Sequence, residues 1–170
     1  MDFASTTPVD REVSRAMQPI FVSDFGNPSS LYREGMKAKE AVSKSQNIFA
    51  KALGVRAEEI FFTGSGTEAN NLAIEGLMHR MLLLGFDFKD LHAITSVFEH
   101  PSVLESLSWL EKWGLKVDYI GVNEKGIVNV EEIKKKLRPE TFLVSIMHVN
   151  NEIGTIEPIA EISKLLRNFR

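Results

Sequence analysis

Apolar residues recur along the chain with two different spacings, and the order of these spacings predicts the fold. A helical spacing of three and four residues runs from Leu31 to Leu53, with Ser29 or Ser30 as the expected N-cap and Gly54 as the expected C-cap glycine. Short apolar runs between turn residues predict buried strands instead. The predicted helices span residues 8–21, 30–53, 67–84, 101–113, 130–137 and 159–169, and the predicted strands span residues 60–63, 91–96, 115–120 and 141–147.

From residue 60 onward the predicted strands and helices alternate. Alternation of this kind is typical of a largely parallel sheet, and right-handed crossovers place the connecting helices on both of its faces. The predicted fold class is therefore α/β, with a three-layer α/β/α arrangement. Ligands of such sheets bind beyond the carboxyl ends of the strands, so the residues that follow each predicted strand are the candidates for a binding site.

Composition narrows the classes of function. The 170 residues are 44% hydrophobic and 25% charged, and the net charge of −3 gives no electrostatic footprint for nucleic acid or an anionic membrane. The longest apolar run, residues 81–84, is far too short to span a bilayer. The absence of cysteine excludes a disulfide framework and a catalytic thiol within these residues. The four histidines lack metal-type spacing, so no metal site is predicted. A cytoplasmic location is expected for this chain.

The first candidate site follows the strand predicted at residues 60–63. Segment 64–71, GSGTEANN, places two glycines and two hydroxyl side chains at the start of a helix. Glycines allow a close approach to the backbone, and a helix N-terminus offers an anion free N–H groups and the positive end of its dipole. The segment predicts a phosphate site, although it has neither a Walker A nor a dinucleotide-binding spacing. A glycine-rich turn that only caps its helix remains the alternative.

Two further candidates follow later strands. His100 precedes Pro101 at the start of a predicted helix, where its ring would stack on a planar ligand, move a proton or simply cap the helix. Residues 148–154, HVNNEIG, offer two amides and a carboxylate, either to a ligand or to their own loop. Together, the three strand ends favour a small phosphorylated ligand with a flat polar part.

Several motifs are similar to those of a known family. They are MDFASTTP at residues 1–8, FGNPSS at 25–30, FTGSGTEANNLA at 62–73, EH at 99–100 and VSIMHVNNEIG at 144–154. In order and content they resemble the class V aminotransferase-fold enzymes that use pyridoxal 5'-phosphate (PLP), most closely the cysteine desulfurases. The resemblance spans the whole chain and implies the large PLP-binding domain of that fold in truncated form.

The resemblance implies a role for each matching residue. Gly66 and Thr67 would bind the PLP phosphate, and His100 would stack on the pyridine ring and assist proton transfer. Asn151 would hydrogen-bond the phenolic oxygen of the ring, and Asn27 would lie near the substrate carboxylate. The implied reaction takes sulfur from L-cysteine and leaves L-alanine and an enzyme persulfide, for iron–sulfur cluster or thio-cofactor synthesis. The implied enzyme is a homodimer that passes sulfur to an acceptor protein.

The sequence departs from the family in what it lacks. The contexts of the family's Schiff-base lysine, ring-nitrogen aspartate and persulfide cysteine are not present, and Tyr32 stands where the family often has histidine. We therefore expect residues 1–25 to be an N-terminal segment that packs with the small domain of a longer enzyme, and residues 26–170 to be an incomplete PLP-binding domain. The 170 residues alone are expected to be inactive, and either marginally stable or oligomeric.

Other functions remain open at this stage. Within the family, a selenocysteine lyase or an aminotransferase of a small amino acid would share the same motifs. A non-catalytic relative, or one half of a split enzyme, would explain the missing lysine and cysteine. A generic phosphate- or nucleotide-binding domain would explain segment 64–71 but not segment 148–154.

Overall fold

Six α-helices and three strands form among residues 2–169, the part of the chain that the computed structural model describes. The chain divides into two compact units, Met1–Phe62 and Thr63–Arg170, and the first contains α1 and α2. The helices are α1 (Arg11–Val22), α2 (Arg33–Leu53), α3 (Gly66–Leu83), α4 (Pro101–Glu111), α5 (Val130–Lys136) and α6 (Ile159–Phe169), and the strands are β1 (His92–Ser96), β2 (Lys116–Ile120) and β3 (Thr141–Ser145).

In the first unit, the predicted end of α2 is confirmed and its predicted cap is wrong. Gly54 adopts the left-handed conformation, with φ of 70°, and its N–H bonds to the carbonyl of Ala50. The N-cap is Tyr32, which makes no side-chain capping bond. Ser29 and Ser30 lie before the start of the helix, in a turn where the side chain and the carbonyl of Asn27 accept their N–H groups.

The strand predicted at residues 60–63 is also wrong. The carbonyl of Ile60 accepts a hydrogen bond from the Gln46 side chain on α2, rather than from a neighbouring strand. Phe61 is 76% exposed and Phe62 is 52% exposed. Apolar runs of this length become strands only when another strand supplies hydrogen-bond partners, and none of the three strands pairs with this segment.

The second unit contains a parallel sheet in the order β2-β1-β3. All five residues of the central strand β1 are buried, as is typical of a strand covered on both faces. Ala93 packs in one apolar cluster with residues of α3 and α4. Ile94, which points to the opposite face, packs in a second cluster with residues of α5 and α6.

Helices therefore cover both faces of the sheet, and the predicted three-layer α/β/α fold is confirmed. None of the helices among the described residues is long and apolar enough to cross a membrane. The domain boundary expected at residue 25 stays a prediction, because it concerns packing within a longer enzyme.

Candidate functional site

The loops that follow β1 and β3 are tied together beyond the carboxyl ends of both strands. Oε1 of Glu99 accepts the N–H of Met147 at 2.7 Å and the hydroxyl of Ser96 at 2.9 Å. The side-chain amide of Asn150 reaches the carbonyl of Phe98 at 3.4 Å. These contacts lie at the carboxyl edge of the sheet in the second unit, and ligands of parallel sheets bind at this edge.

Segment 64–67 contains the N-cap and the first two residues of α3, and side chains hold it in an open turn. The Ser65 hydroxyl accepts the N–H of Glu68 at 3.1 Å and so caps the helix. The Glu68 carboxylate turns back to accept the N–H of Gly64 at 2.7 Å, and the Thr63 hydroxyl donates to the carbonyl of Ser65 at 2.9 Å. The capping role that the sequence left as an alternative is therefore present.

Capping leaves two N–H groups of α3 for another acceptor. Gly66 and Thr67 are the first two residues of the helix, where no preceding turn supplies a carbonyl. A Cβ atom on Gly66 would meet nothing within 4 Å, so the backbone is open on that side. The hydroxyls of Ser65 and Thr67 belong to exposed residues at the same helix end. This set of donors, with the positive end of the helix dipole, suits a phosphate group.

His100 is the N-cap of α4 and is nonetheless exposed. Nδ1 of the ring accepts the backbone N–H of Ser102 at 3.1 Å. Because Nδ1 is an acceptor, the neutral ring carries its proton on Nε2. An exposed imidazole in one defined tautomer is able to stack on a flat ligand and to exchange a proton at Nε2.

The loop after β3 folds back on itself, with an antiparallel pairing of Val149 and Ile156. Asn150 is 4% exposed, and its Oδ1 accepts the N–H groups of Glu152 and Ile153. Asn151 is exposed, and its Nδ2 donates to the Glu152 carboxylate at 2.8 Å. Asn150 therefore builds the loop, whereas Asn151 presents an amide that a ligand is able to reach.

Two side-chain hydrogen bonds join α3 to α4. Nδ2 of Asn70 donates to Oγ of Ser102 at 2.8 Å, and Oγ of Ser106 donates to Oδ1 of Asn71 at 2.6 Å. Because Ser102 also bonds to His100, the first bond brings the start of α3 and His100 to the same edge. Sequence reasoning gave none of these four residues a role, although two serines four positions apart share one helix face.

Glu99 is a further residue whose role sequence reasoning missed. It is 8% exposed, and burial raises the pKa of its carboxyl above 4.5. The charge of Glu157 raises that pKa further, whereas the hydrogen bonds from Met147 and Ser96 lower it. Glu157 is 3% exposed, and one of its oxygens accepts the N–H of Val128 at 2.9 Å. The site edge thus rests on two buried carboxyl groups that repel each other when both are ionised.

Asn27 belongs to the first unit. It is exposed, its Oδ1 accepts the N–H of Ser29 at 2.9 Å, and its carbonyl accepts the N–H of Ser30 at 2.9 Å. In the structure it closes the turn that precedes α2. Its predicted place near a substrate carboxylate stays a prediction.

The second unit is of a recognisable class: a three-layer α/β domain with a helix N-terminus open to an anion at the carboxyl edge of a parallel sheet. The family model described as aminotransferase class-V matches residues 1–170, and the chain belongs to that family. Cysteine desulfurase IscS of Dictyoglomus turgidum is 44% identical over 169 residues, and its counterpart in Clostridium botulinum (strain Hall) is 46% identical over 167 residues. The resemblance to cysteine desulfurases that the motifs indicated is confirmed.

Solved structures extend this similarity to three dimensions. A NifS-like protein matches 98% of this chain with a TM-score of 0.90 and 35% identity. A protein described as SspA in complex with cysteine matches 99% of it with a TM-score of 0.91 and 38% identity. The chain spans 42% and 41% of the two curated relatives and 44% and 47% of the two solved chains, less than half of each.

Proposed function

We propose that this chain is part of a PLP-dependent cysteine desulfurase. The observation that carries the proposal is the edge of the second unit, where the N-terminus of α3, with two N–H groups left over after capping by Ser65, and the exposed His100 are joined through Asn70 and Ser102. The similarity to enzymes named cysteine desulfurase supports the choice of reaction. A solved relative described as a complex with cysteine supports the choice of substrate.

The donors at this edge match the chemistry of PLP. Its phosphate needs several N–H and O–H donors, which Gly66 and Thr67 supply at the start of α3. Its flat ring needs an exposed planar side chain to stack on, which His100 supplies. Its phenolic oxygen needs a donor, which the amide of Asn151 supplies. When bound, PLP provides an electron sink for the substrate.

The residues of this chain then hold and orient the reacting groups. The start of α3 would hold the phosphate, and His100 would stack on the ring. The proton on Nε2 of His100 is the one that this chain offers for exchange with the substrate. Asn27 is proposed to bind the substrate carboxylate.

The net reaction removes one sulfur atom from L-cysteine. The thiolate of an enzyme cysteine forms a bond to the substrate sulfur, and the carbon–sulfur bond of the substrate breaks. The electron pair of that bond remains with carbon, which takes a proton to give L-alanine. A persulfide is left on the enzyme. Since these 170 residues contain no cysteine, the attacking thiolate belongs to a residue outside them.

The remaining features of the proposal rest on the resemblance to the family. The enzyme is a cytoplasmic homodimer that passes its persulfide sulfur to an acceptor protein, for iron–sulfur cluster or thio-cofactor synthesis. Residues 1–25 pack with a small domain, and residues 26–170 form part of the PLP-binding domain. The 170 residues alone have no desulfurase activity.

Product analysis of the complete protein tests this function. Loaded with PLP and given L-cysteine and a thiol reductant, it is expected to release alanine and sulfide in equal amounts, and the 170-residue chain alone is expected to release neither. L-selenocysteine in place of L-cysteine tests for a selenocysteine lyase. Transfer of the amino group to a keto acid, without release of sulfide, would contradict the proposal and favour an aminotransferase.

A further inference from the structure

We infer that Ser102 and Asn70 are positioning residues for His100, which they hold in one orientation with its proton on Nε2. The inference rests on the proposed function, in which His100 stacks on PLP and exchanges a proton. The geometry that carries it lies wholly within the second unit and needs no cofactor.

Two donors from one residue converge on Nδ1 of His100. The backbone N–H of Ser102 lies 3.1 Å from Nδ1 and is only able to donate, so Nδ1 accepts. Oγ of Ser102 lies 2.8 Å from the same nitrogen, and because Nδ1 is an acceptor, the hydroxyl proton points towards the ring. The lone pair of Nδ1 is thus fully used by Ser102.

Asn70 sets the direction of the Ser102 hydroxyl. Its Nδ2 donates to Oγ of Ser102 at 2.8 Å, which leaves the single hydroxyl proton for His100. Ser102 is only 8% exposed, so water competes weakly for these bonds. A donor on α3 therefore reinforces, through the Ser102 hydroxyl, the tautomer that the backbone N–H of Ser102 already favours.

Asn71 and Ser106 form a neighbouring pair of the same two residue types, joined by a hydrogen bond that involves no histidine. Oγ of Ser106 donates to Oδ1 of Asn71 at 2.6 Å, so here the asparagine accepts. An aspartate at position 71 keeps that bond, since a carboxylate also accepts. An aspartate at position 70 accepts the Ser102 hydroxyl and turns its proton away from His100. Asn70→Asp and Asn71→Asp thus add the same charge to adjacent positions with opposite effects on the ring.

Nitrogen NMR of the complete protein, labelled with ¹⁵N-histidine, reads the tautomer directly. At about pH 9, above the usual titration range of imidazole, His100 is expected to show a protonated Nε2 and a bare, hydrogen-bonded Nδ1. His79 provides an internal reference, because its Nδ1 lies 3.2 Å from the Glu75 carbonyl and must donate. His100→Gln and His79→Gln assign the two sets of signals.

Asn70→Asp and Ser102→Ala are expected to move the two His100 nitrogen shifts towards each other, as the second tautomer becomes populated. Asn71→Asp and Ser106→Ala are expected to leave them in place, and Ser102→Thr, which keeps the hydroxyl, to preserve the wild-type shifts. The inference is overturned if Asn70→Asp, Ser102→Ala, Asn71→Asp and Ser106→Ala all move the His100 shifts equally, or if Ser102→Ala moves neither shift.

Kinetics of the PLP-loaded protein separate this inference from the proposed function. Loss of one hydrogen bond predicts that Asn70→Asp lowers kcat by about tenfold, whereas Asn71→Asp changes it by less than about twofold. The visible absorption band of bound PLP is expected to shift only in Asn70→Asp. If PLP does not bind at all, the proposed function fails while the nitrogen shifts still test the ring. If PLP binds and Asn70→Asp behaves like Asn71→Asp, the positioning role fails alone.

Discussion

Asn150 and Asn151 show how much the surroundings of a residue matter to its role. The sequence presents two equivalent amides, whereas the structure buries Asn150 in its own loop and exposes Asn151. The carboxyl groups at this edge differ in a similar way. Glu152 is exposed beside Asn151, while Glu99 is buried between the ends of β1 and β3.

The buried carboxyl of Glu99 makes stability depend on pH. Burial raises its pKa above 4.5, so the folded protein holds this proton more tightly than the unfolded chain does. The stability that Glu99 contributes is therefore fully present below the pKa of the unfolded chain and is lost as the pH rises through the folded pKa. Glutamine keeps the acceptor for Met147 and cannot ionise.

We expect Glu99→Gln to gain stability relative to the wild type as the pH rises from about 4 to about 7. Urea unfolding at several pH values measures this difference, with the exposed Glu124→Gln as the control. A difference between Glu99→Gln and wild type that stays constant over this range, or that reverses in sign, would show that Glu99 keeps its ordinary pKa.

At the scale of elements, the ends of helices show where sequence patterns suffice and where they fail. Gly54 is identified from sequence because its conformation is a local property of the backbone. The cap of α2 is not, because Asn27 draws both serines into a turn that ends before the helix begins, and the hydrophobic pattern does not reveal this turn. The strand prediction for residues 60–63 is wrong for a different reason, since strand formation depends on a partner distant in sequence.

The C-cap of α2 supports a prediction about stability. With φ of 70° and nothing within 4 Å of an added Cβ, Gly54→Ala incurs only the backbone penalty, about 1–2 kcal/mol. Gly54→Asn is expected to lose less, because asparagine tolerates the left-handed conformation. Chemical denaturation of both variants measures this. Equal stability of Gly54→Ala and wild type would mean that the helix end relaxes into another conformation.

At the scale of the whole molecule, much apolar surface is exposed. In the second unit, Leu83 is 81% exposed, and Trp109 and Trp113 are 53% and 60% exposed. All five residues of β3 are only partly buried, and a groove lies beside it that is lined by Val144, Ile146, Ile159, Ile162, Ser163, Leu166 and Arg167. Exposed patches of this kind promote association.

We expect the 170-residue chain, produced alone, to associate into larger species. Sedimentation velocity over a tenfold range of concentration measures this, and the complete protein serves as the control because it carries the same sequence in its natural context. A monodisperse 19.1 kDa monomer with a cooperative thermal transition at high temperature would contradict the expectation.

The fold could be predicted from sequence more fully than the site. Apolar runs and their helical connections specify the three layers, because burial on both faces of β1 leaves a strong pattern. The start of α3 beside Thr67 and the position of His100 at the start of α4 could be predicted from local motifs. The bonds from Asn70 to Ser102 and from Glu99 to Met147 could not, since they join residues 32 and 48 positions apart.

The affinity of the complete protein for PLP tests the central claim, that the start of α3 holds the phosphate of the cofactor. Fluorescence titration is expected to show about tenfold weaker binding of PLP to Thr67→Ala, with Thr67→Ser and the exposed Ser108→Ala close to wild type. Pyridoxal, which lacks the phosphate, is expected to bind Thr67→Ala and wild type equally. Equal loss of affinity for PLP and pyridoxal, or no loss for either, would contradict the claim.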